Sequence, residues 1–300
     1  MASPLDSDAT PRSPDRPDVS DRPGAIRRLR TIWEYRELLV NLIRKELKVK
    51  YKNSALGFVW SLLNPLLYLV VFYIVFQVIL EAGISNFPIF FLAGLLPWNL
   101  FGAGLGGGTT AIVSNAGLVG KVWFPREILP LASIGAALVH FALQFLVLAG
   151  ALVAFWYEPA WSYLPLLIPA MITFLVFVAA LAVAFSAINV YARDTQHLLE
   201  LVMLAWFWLT PIIYPFRQVG SRVGNWALLN PMTSIVITFQ RAIWGNREIV
   251  IKGQNGPAIP DGSQWWYLRN LGFVFGASLL LLWIAFWIFG RLEDNLAESI

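Results

Sequence analysis

Residues 164–190, LPLLIPAMITFLVFVAALAVAFSAINV, contain no charged side chain. A helix of about 20 apolar residues crosses the roughly 30 Å hydrocarbon core of a bilayer, so this run reads as a membrane span. The rest of the chain agrees. Of its 300 residues 58% are hydrophobic and 13% charged, and the mean hydropathy is +0.63. A soluble domain carries about a quarter charged residues, because its surface must be wetted. Here the apolar surplus has no place but lipid. Aromatics reach 15%, with 14 Trp, and Trp and Tyr favour the membrane interface, where an apolar ring and a polar N–H or O–H are both satisfied.

Working outward, further spans are expected at about 55–80, 87–113, 128–156, 198–214 and 268–289. The reading is an all-α integral membrane fold with six transmembrane helices in a permease domain at 55–290. Asn53 and Ser54 can cap the first span, which holds Pro65. The second carries Pro97 and a glycine run from Gly102 to Gly108, which predicts a bent or broken helix. The bland reading of those glycines is close helix packing.

Before the spans, residues 1–28 are mostly Pro, Asp, Ser and Arg, and are expected to form a disordered cytoplasmic tail. They have no apolar run of the kind a secretory signal needs. Residues 29–54 predict an amphipathic helix. At 100° per residue Ile32, Tyr35, Leu39, Leu42, Ile43 and Leu47 share one side, and Glu34, Glu37, Asn41, Arg44, Lys45, Lys48 and Lys52 the other. Such a helix suits the headgroup plane, in contact with membrane lipids.

Basic residues orient the chain. Arg44, Lys45, Lys48, Lys50 and Lys52 precede the first span, Lys121 and Arg126 follow the second, Arg193 the fourth and Arg291 the sixth. Both termini are therefore expected in the cytoplasm, with a short cytoplasmic tail at 291–300. One long outer loop dissents, with Arg217, Arg222, Arg241, Arg247 and Lys252. Within it Asn230 reads as an N-cap, Pro231 as the first helical residue and Gly245 as the stop. The helix between is too short to span, hence re-entrant or interfacial.

The chemistry is chiefly one of absence. There is no Cys, and the two His, His140 and His197, have no metal-ligand spacing. No phosphate loop, nucleophile elbow or HExxH occurs. No catalytic residue, bound cofactor, metal or nucleic-acid partner is expected, and any uphill transport needs a partner's energy. His140, with Gln144 one turn on, reads as an interhelical hydrogen-bonding group.

Four motifs in register with this topology carry a resemblance. They are YKNSALGFVWSLLNPLL (51–67), LVGKVWFPREILP (118–130), NVYARDTQHLLELV (189–202) with LTPIIYP (209–215), and NPMTSIVITFQRAIWG (230–245). The chain resembles type-2 ABC exporter permeases, in particular the branch that exports polysaccharides, lipid-linked O-antigens and teichoic acids. The resemblance implies a homodimer in the bacterial cytoplasmic (inner) membrane, joined to two separate ATP-binding cassette subunits that hold ATP and Mg. It implies an ATPase-coupling helix around 114–127, with Lys121, Trp123 and Arg126 as contacts. Gate helices follow at about 217–245, with Asn230, Pro231 and Phe239 as outer gate candidates. The first and fifth spans resemble those lining the path, and there Tyr68, Phe72 and Phe76 form a stripe, with Trp206, Trp208 and Tyr214 on the fifth. Rings suit a glycan, whose C–H faces stack on them weakly enough to slide. A drug or lipid permease of the same family is an alternative. A membrane-embedded lipid-linked sugar transferase is another, but it needs clustered charges at one membrane face, and the Arg193–Asp194 pair reads as a helix-end ion pair.

Overall fold

The computed structural model describes residues 25–52, 57–251 and 254–296. Residues 1–24 of the expected tail at 1–28, and the caps Asn53 and Ser54, lie outside the described residues. Helix α1 (Ala25–Glu34) begins ahead of the expected boundary at 29 and is separated from α2 (Arg36–Tyr51) by a turn at Tyr35. The predicted apolar face is used against protein. Leu42 is buried, and Ile32, Tyr35, Leu39 and Ile43 pack around it in a cluster with Ile128, Ala132 and Phe289. Ile43 lies directly over Gly135, where a Cβ would collide with it.

Then come α3 (Val59–Tyr73), which passes into a π-helical segment Ile74–Ile79, and α4 (Phe87–Ser114). A single turn, α5 (Ala116–Val119), leads to α6 (Ile128–Ala154) and α7 (Leu167–Tyr191). Helix α8 (Thr195–Leu209) is followed by α9 (Phe216–Val223), a 3-10 stretch Gly224–Leu229, and α10 (Pro231–Ile243). Strands β1 (Glu248–Ile251) and β2 (Gln254–Pro257) form a small antiparallel hairpin that no sequence pattern predicts. Helix α11 (Gln264–Leu296) closes the chain.

Among the described residues five helical segments are long and apolar enough to cross a bilayer, at Val59–Ile79, Phe87–Ser114, Ile128–Ala154, Leu164–Tyr191 and Gln264–Leu292. The expected fifth span is shorter than predicted. Helix α8 stops at Leu209 after 15 residues, or about 22 Å of rise. The cause is Pro211, which disfavours helical backbone in the residue before it; Thr210 accordingly sits at φ −104°, ψ 132°. Net passage across the bundle is still required between α7 and α11. Helix α7 ends where the Tyr191 hydroxyl donates to the Leu292 carbonyl at 2.7 Å, and α11 begins where Gln264 donates to the Ser162 carbonyl at 2.7 Å. Helix α1 and the end of α11 share the Tyr191 end, since Arg28 lies against Gly290.

Of the expected bent or broken course of the second span, the break is absent: α4 is one continuous helix. An interrupted backbone in lipid would leave polar groups without partners, and the glycines instead bring α4 close to its neighbours. A Cβ on Gly104 would lie 3.2 Å from Val178, one on Gly107 3.3 Å from Ser133, and one on Gly108 2.6 Å from the Cβ of Ala182. Thr109 and Thr110 return their hydroxyls to the carbonyls of Leu105 and Gly106. The α4 window is 78% buried and that of α3 only 6%. A helix apolar all round belongs at the centre of a bundle.

This packing predicts that Gly108→Ala destabilises the detergent-solubilised protein by about 1–3 kcal/mol through overpacking. Adding Ala182→Gly to the same chain should recover most of the lost melting temperature. Equal melting of Gly108→Ala and the parent would show that α4 and α7 are not in close contact there.

Candidate functional site

The aromatic stripe of α3 does form, and it grades from open to closed. Tyr68 is 50% exposed and stacks on Phe72 with centroids 6.4 Å apart. Phe72 is half-buried and meets Phe91 at 5.2 Å and Phe207 at 6.2 Å. Phe76, also half-buried, stacks on Phe87 of α4 at 6.3 Å. On α8 Trp206 and Trp208 face different ways, because helix positions two residues apart lie about 200° apart around the axis. Trp208 is 52% exposed. Trp206 points inward, packs edge-on against Phe101 at 5.1 Å, and its Nε1 donates to Asn230 Oδ1 at 2.8 Å. Phe207, between them, ties the two helices together by meeting Phe72, Trp98 and Trp208. The Tyr214 hydroxyl donates to the Trp208 carbonyl at 2.6 Å, and its half-buried ring packs on the main core. Tyr68 and Trp208 thus present open faces, whereas Trp206, Phe76 and Tyr214 build the wall behind them.

Asn230 is more than a cap. Its Oδ1 accepts from the Met232 N–H at 3.0 Å as well as from Trp206, and its Nδ2 donates to Thr210 Oγ1 at 3.1 Å. Pro231 takes the first helical position, where its missing N–H costs nothing. Helix α10 is buried from Met232 to Ile243 apart from half-buried Arg241. Phe239, expected at an outer gate, is 2% exposed and packs at 6.3 Å on Phe141; it is core. Gln240, which the sequence did not flag, donates to the carbonyls of Pro211 and Ile212 at 3.1 and 3.4 Å. Gly94 makes room for it, since a Cβ there would meet Gln240 at 2.9 Å. Two of the dissenting outer-loop arginines are fold clamps. Arg241 lies 4.0 Å over the Tyr163 ring and Arg247 4.7 Å over Tyr157. Burial pushes the Tyr157 hydroxyl up, against the pull of Arg247.

At the opposite end, Lys121, Val122 and Trp123 form an exposed knuckle, with Trp123 62% exposed. Buried Phe124 pins the knuckle in the cluster below α2. Arg126 is half-buried and engaged, not wholly presented to the outside. The next residue, Glu127, is 2% exposed and takes an ion pair from Arg28 of α1. No local pattern announces this pair. Lys45 of α2 donates to Asn115 at 2.5 Å, and Glu46 accepts from Ser133 at 2.9 Å. Burial raises the Glu46 carboxyl, with Ser133, Lys45 and Lys50 pulling it back, and burial lowers Lys50. His140 makes the expected interhelical bonds, to Tyr51 at 2.7 Å and Ser61 at 3.2 Å. Among the described residues no group of three His, Cys, Asp or Glu side chains could hold a metal.

The α3 and α8 faces otherwise carry open apolar side chains, including Leu67, Val71, Leu201 and Leu204. Chemically, this arrangement can bind and pass; it holds no reactive centre among these residues. The family described as ABC-2 type transporter matches residues 37–244. The chain is 34% identical to the O-antigen export system permease protein RfbA of Myxococcus xanthus, over 92% of this chain and 100% of the relative. It is 28% identical to the protein of that name from Klebsiella pneumoniae, over 88% and 95%. Likeness to the polysialic acid transport protein KpsM of Escherichia coli is weaker, 21% over 67% and 79%.

Asn230→Ala removes the cap and the acceptor for Trp206 together. A lost cap costs about 1 kcal/mol and a stranded buried donor about 1–3 kcal/mol more. Thermal unfolding should therefore drop clearly, and proteolysis within 216–230 should accelerate. Asn230→Asp, which keeps the acceptor, should lose much less. Similar losses in both variants would refute the hub.

Proposed function

The chain belongs to the ABC-2 type transporter family, multi-pass membrane proteins that work with an ATP-binding subunit, and we propose that it exports a polysaccharide across the bacterial inner membrane. It is a permease subunit, a transport component and not an enzyme. ATP and Mg2+ belong to two copies of the partner subunit, which docks on the Lys121–Trp123 knuckle, and both termini face the cytoplasm with it. Two copies of this chain assemble with α3 and α8 of each turned toward a shared path. The glycan is carried on a lipid and slides past Tyr68 and Trp208, the rings left open on those helices. Shallow stacking on rings gives many weak contacts, and neither α3 nor the Leu201–Leu209 part of α8 carries a charged side chain in which a polymer would stall.

The observation that carries this reading is the near full-length likeness to an O-antigen export permease, 34% identical over 92% of this chain. Deleting the gene should abolish surface polysaccharide while lipid-linked glycan accumulates inside, both visible on gels of cell extracts. Unchanged surface polysaccharide would overturn the proposal.

Two sets of variants test the parts. Lys121→Glu and Trp123→Ala should insert normally yet fail to co-purify the ATP-binding subunit and lose most export. Arg126→Glu should also lower thermal stability, because that residue is half-buried. Normal export in all three would separate the knuckle from the ATPase. Tyr68→Ala should slow export several-fold with unchanged melting, whereas Phe72→Ala should reduce both, since Phe72 supports Phe91 and Phe207.

A further inference from the structure

A cavity of about 390 Å³ opens between the end of α2, the start of α3, α4 and α6. That volume lies in the usual range of small-molecule pockets, roughly 300–1,000 Å³. Its lining is unusual for its depth. Ser61 and Asn64 lie one turn apart on α3, His140 and Gln144 one turn apart on α6, and Asn99 enters from α4. Five uncharged polar side chains from three apolar helices thus converge on one space. Polar groups inside a membrane bundle are costly, and where they gather they mark a path or site.

The hydrogen bonds leave capacity free. The Tyr51 hydroxyl is hydrogen-bonded to His140 Nδ1 at 2.7 Å and to Ser61 Oγ at 2.5 Å. Asn99 donates to Gln144 Oε1 at 3.3 Å. An amide offers two donors and a carbonyl acceptor, so the Asn99 carbonyl and the Gln144 amino group remain for a ligand. Asn64 adds both kinds at the rim, and Trp60, 49% exposed, supplies a flat ring beside them. Among the described residues of the lining Lys50 is the single charged side chain, and none is a carboxylate. A cation has no counter-charge here, and an apolar molecule would strand the amides.

Mixed donors and acceptors beside an indole face match a ring of hydroxyls with an apolar C–H side. We propose that this cavity binds a sugar residue of the exported glycan near the end of the bundle where α2 lies, before the chain reaches the rings of α3 and α8. The proposal rests on the polysaccharide reading above. The cavity reads identity by hydrogen bonds, and the open rings beyond it do not; recognition and sliding are thereby given to different places.

The test uses the whole transporter with its ATP-binding subunit in glycan-producing cells. A photoreactive phenylalanine analogue, p-benzoylphenylalanine, replaces Trp60, Tyr68 or, as a control on the outer surface, Val153. Irradiation followed by glycan-specific blotting should give an adduct at positions 60 and 68 and none at 153. In the Trp60-substituted chain, Asn99→Ala with Gln144→Ala should cut the adduct by about tenfold, the loss of two net hydrogen bonds of about 0.7 kcal/mol each. Because Asn99 and Gln144 also tie α4 to α6, Asn64→Ala is the cleaner variant, and should weaken the adduct several-fold with unchanged melting. An adduct at 68 but none at 60, or an adduct at 60 indifferent to Asn64 and Gln144, overturns the cavity and leaves glycan export standing. No adduct anywhere, with surface polysaccharide unaffected by gene deletion, removes both.

Discussion

A helix broken inside a membrane must find new partners for its own carbonyl groups, and Pro211 breaks α8. The residue before it is forced extended, and the carbonyls around the break fall out of the helical ladder. The partners come from α10. Gln240 donates to Pro211 and Ile212, and Asn230 donates to the Leu209 carbonyl at 3.4 Å. For Gln240 to arrive, α10 has to be drawn into the protein, and for α10 to fit, α4 has to be bare at Gly94. The burial of α10 and the placement of Trp206 on Asn230 both follow from meeting this one requirement. A half-helix that looks like a surface feature in the sequence becomes part of the core.

The same requirement divides the bundle into a fixed and an open side. Helices α4, α6, α7, α10 and α11 share the main apolar core, and the glycine run of α4 lets them approach closely. Dispersion and small-residue packing are what hold helices together where lipid removes the hydrophobic advantage of association. Helices α3 and α8 touch this body along one side each and turn large apolar residues outward. Phe72 and Phe207 meet at that seam. The closely packed body and the two helices that carry the exposed apolar faces are thus separate parts of the bundle.

The opposite end is organised by polar contacts among distant segments. Arg28 pairs with Glu127, Lys45 with Asn115, and Glu46 with Ser133, so α1 and α2 grip the loop and helix that follow α4. The exposed knuckle at Lys121–Trp123 therefore stands on a braced base, with Phe124 sunk beneath it. A buried ion pair is weak evidence for stability, because desolvation offsets its attraction. Its better-supported use is to fix one arrangement over others, here that of the loop carrying the knuckle.

Much of this was legible in the residues alone. Apolar runs longer than a bilayer is thick, the amphipathic face from Ile32 to Leu47, the Asn230–Pro231 start of α10 and the packing role of Gly102–Gly108 are local or periodic signals, and each was read without neighbours. Which apolar surface faces protein was not legible. Lipid and protein interior are equally apolar, so the hydrophobic pattern that separates core from water cannot separate core from lipid. That ambiguity hid the burial of Phe239 and which of Trp206 and Trp208 turns inward; the early stop of α8 has a local cause instead, Pro211. Contacts such as Arg28 with Glu127, or Asn99 with Gln144, join residues 99 and 45 positions apart. Only the folded chain decides them, because the energy that selects each partner exists only once the helices between have packed.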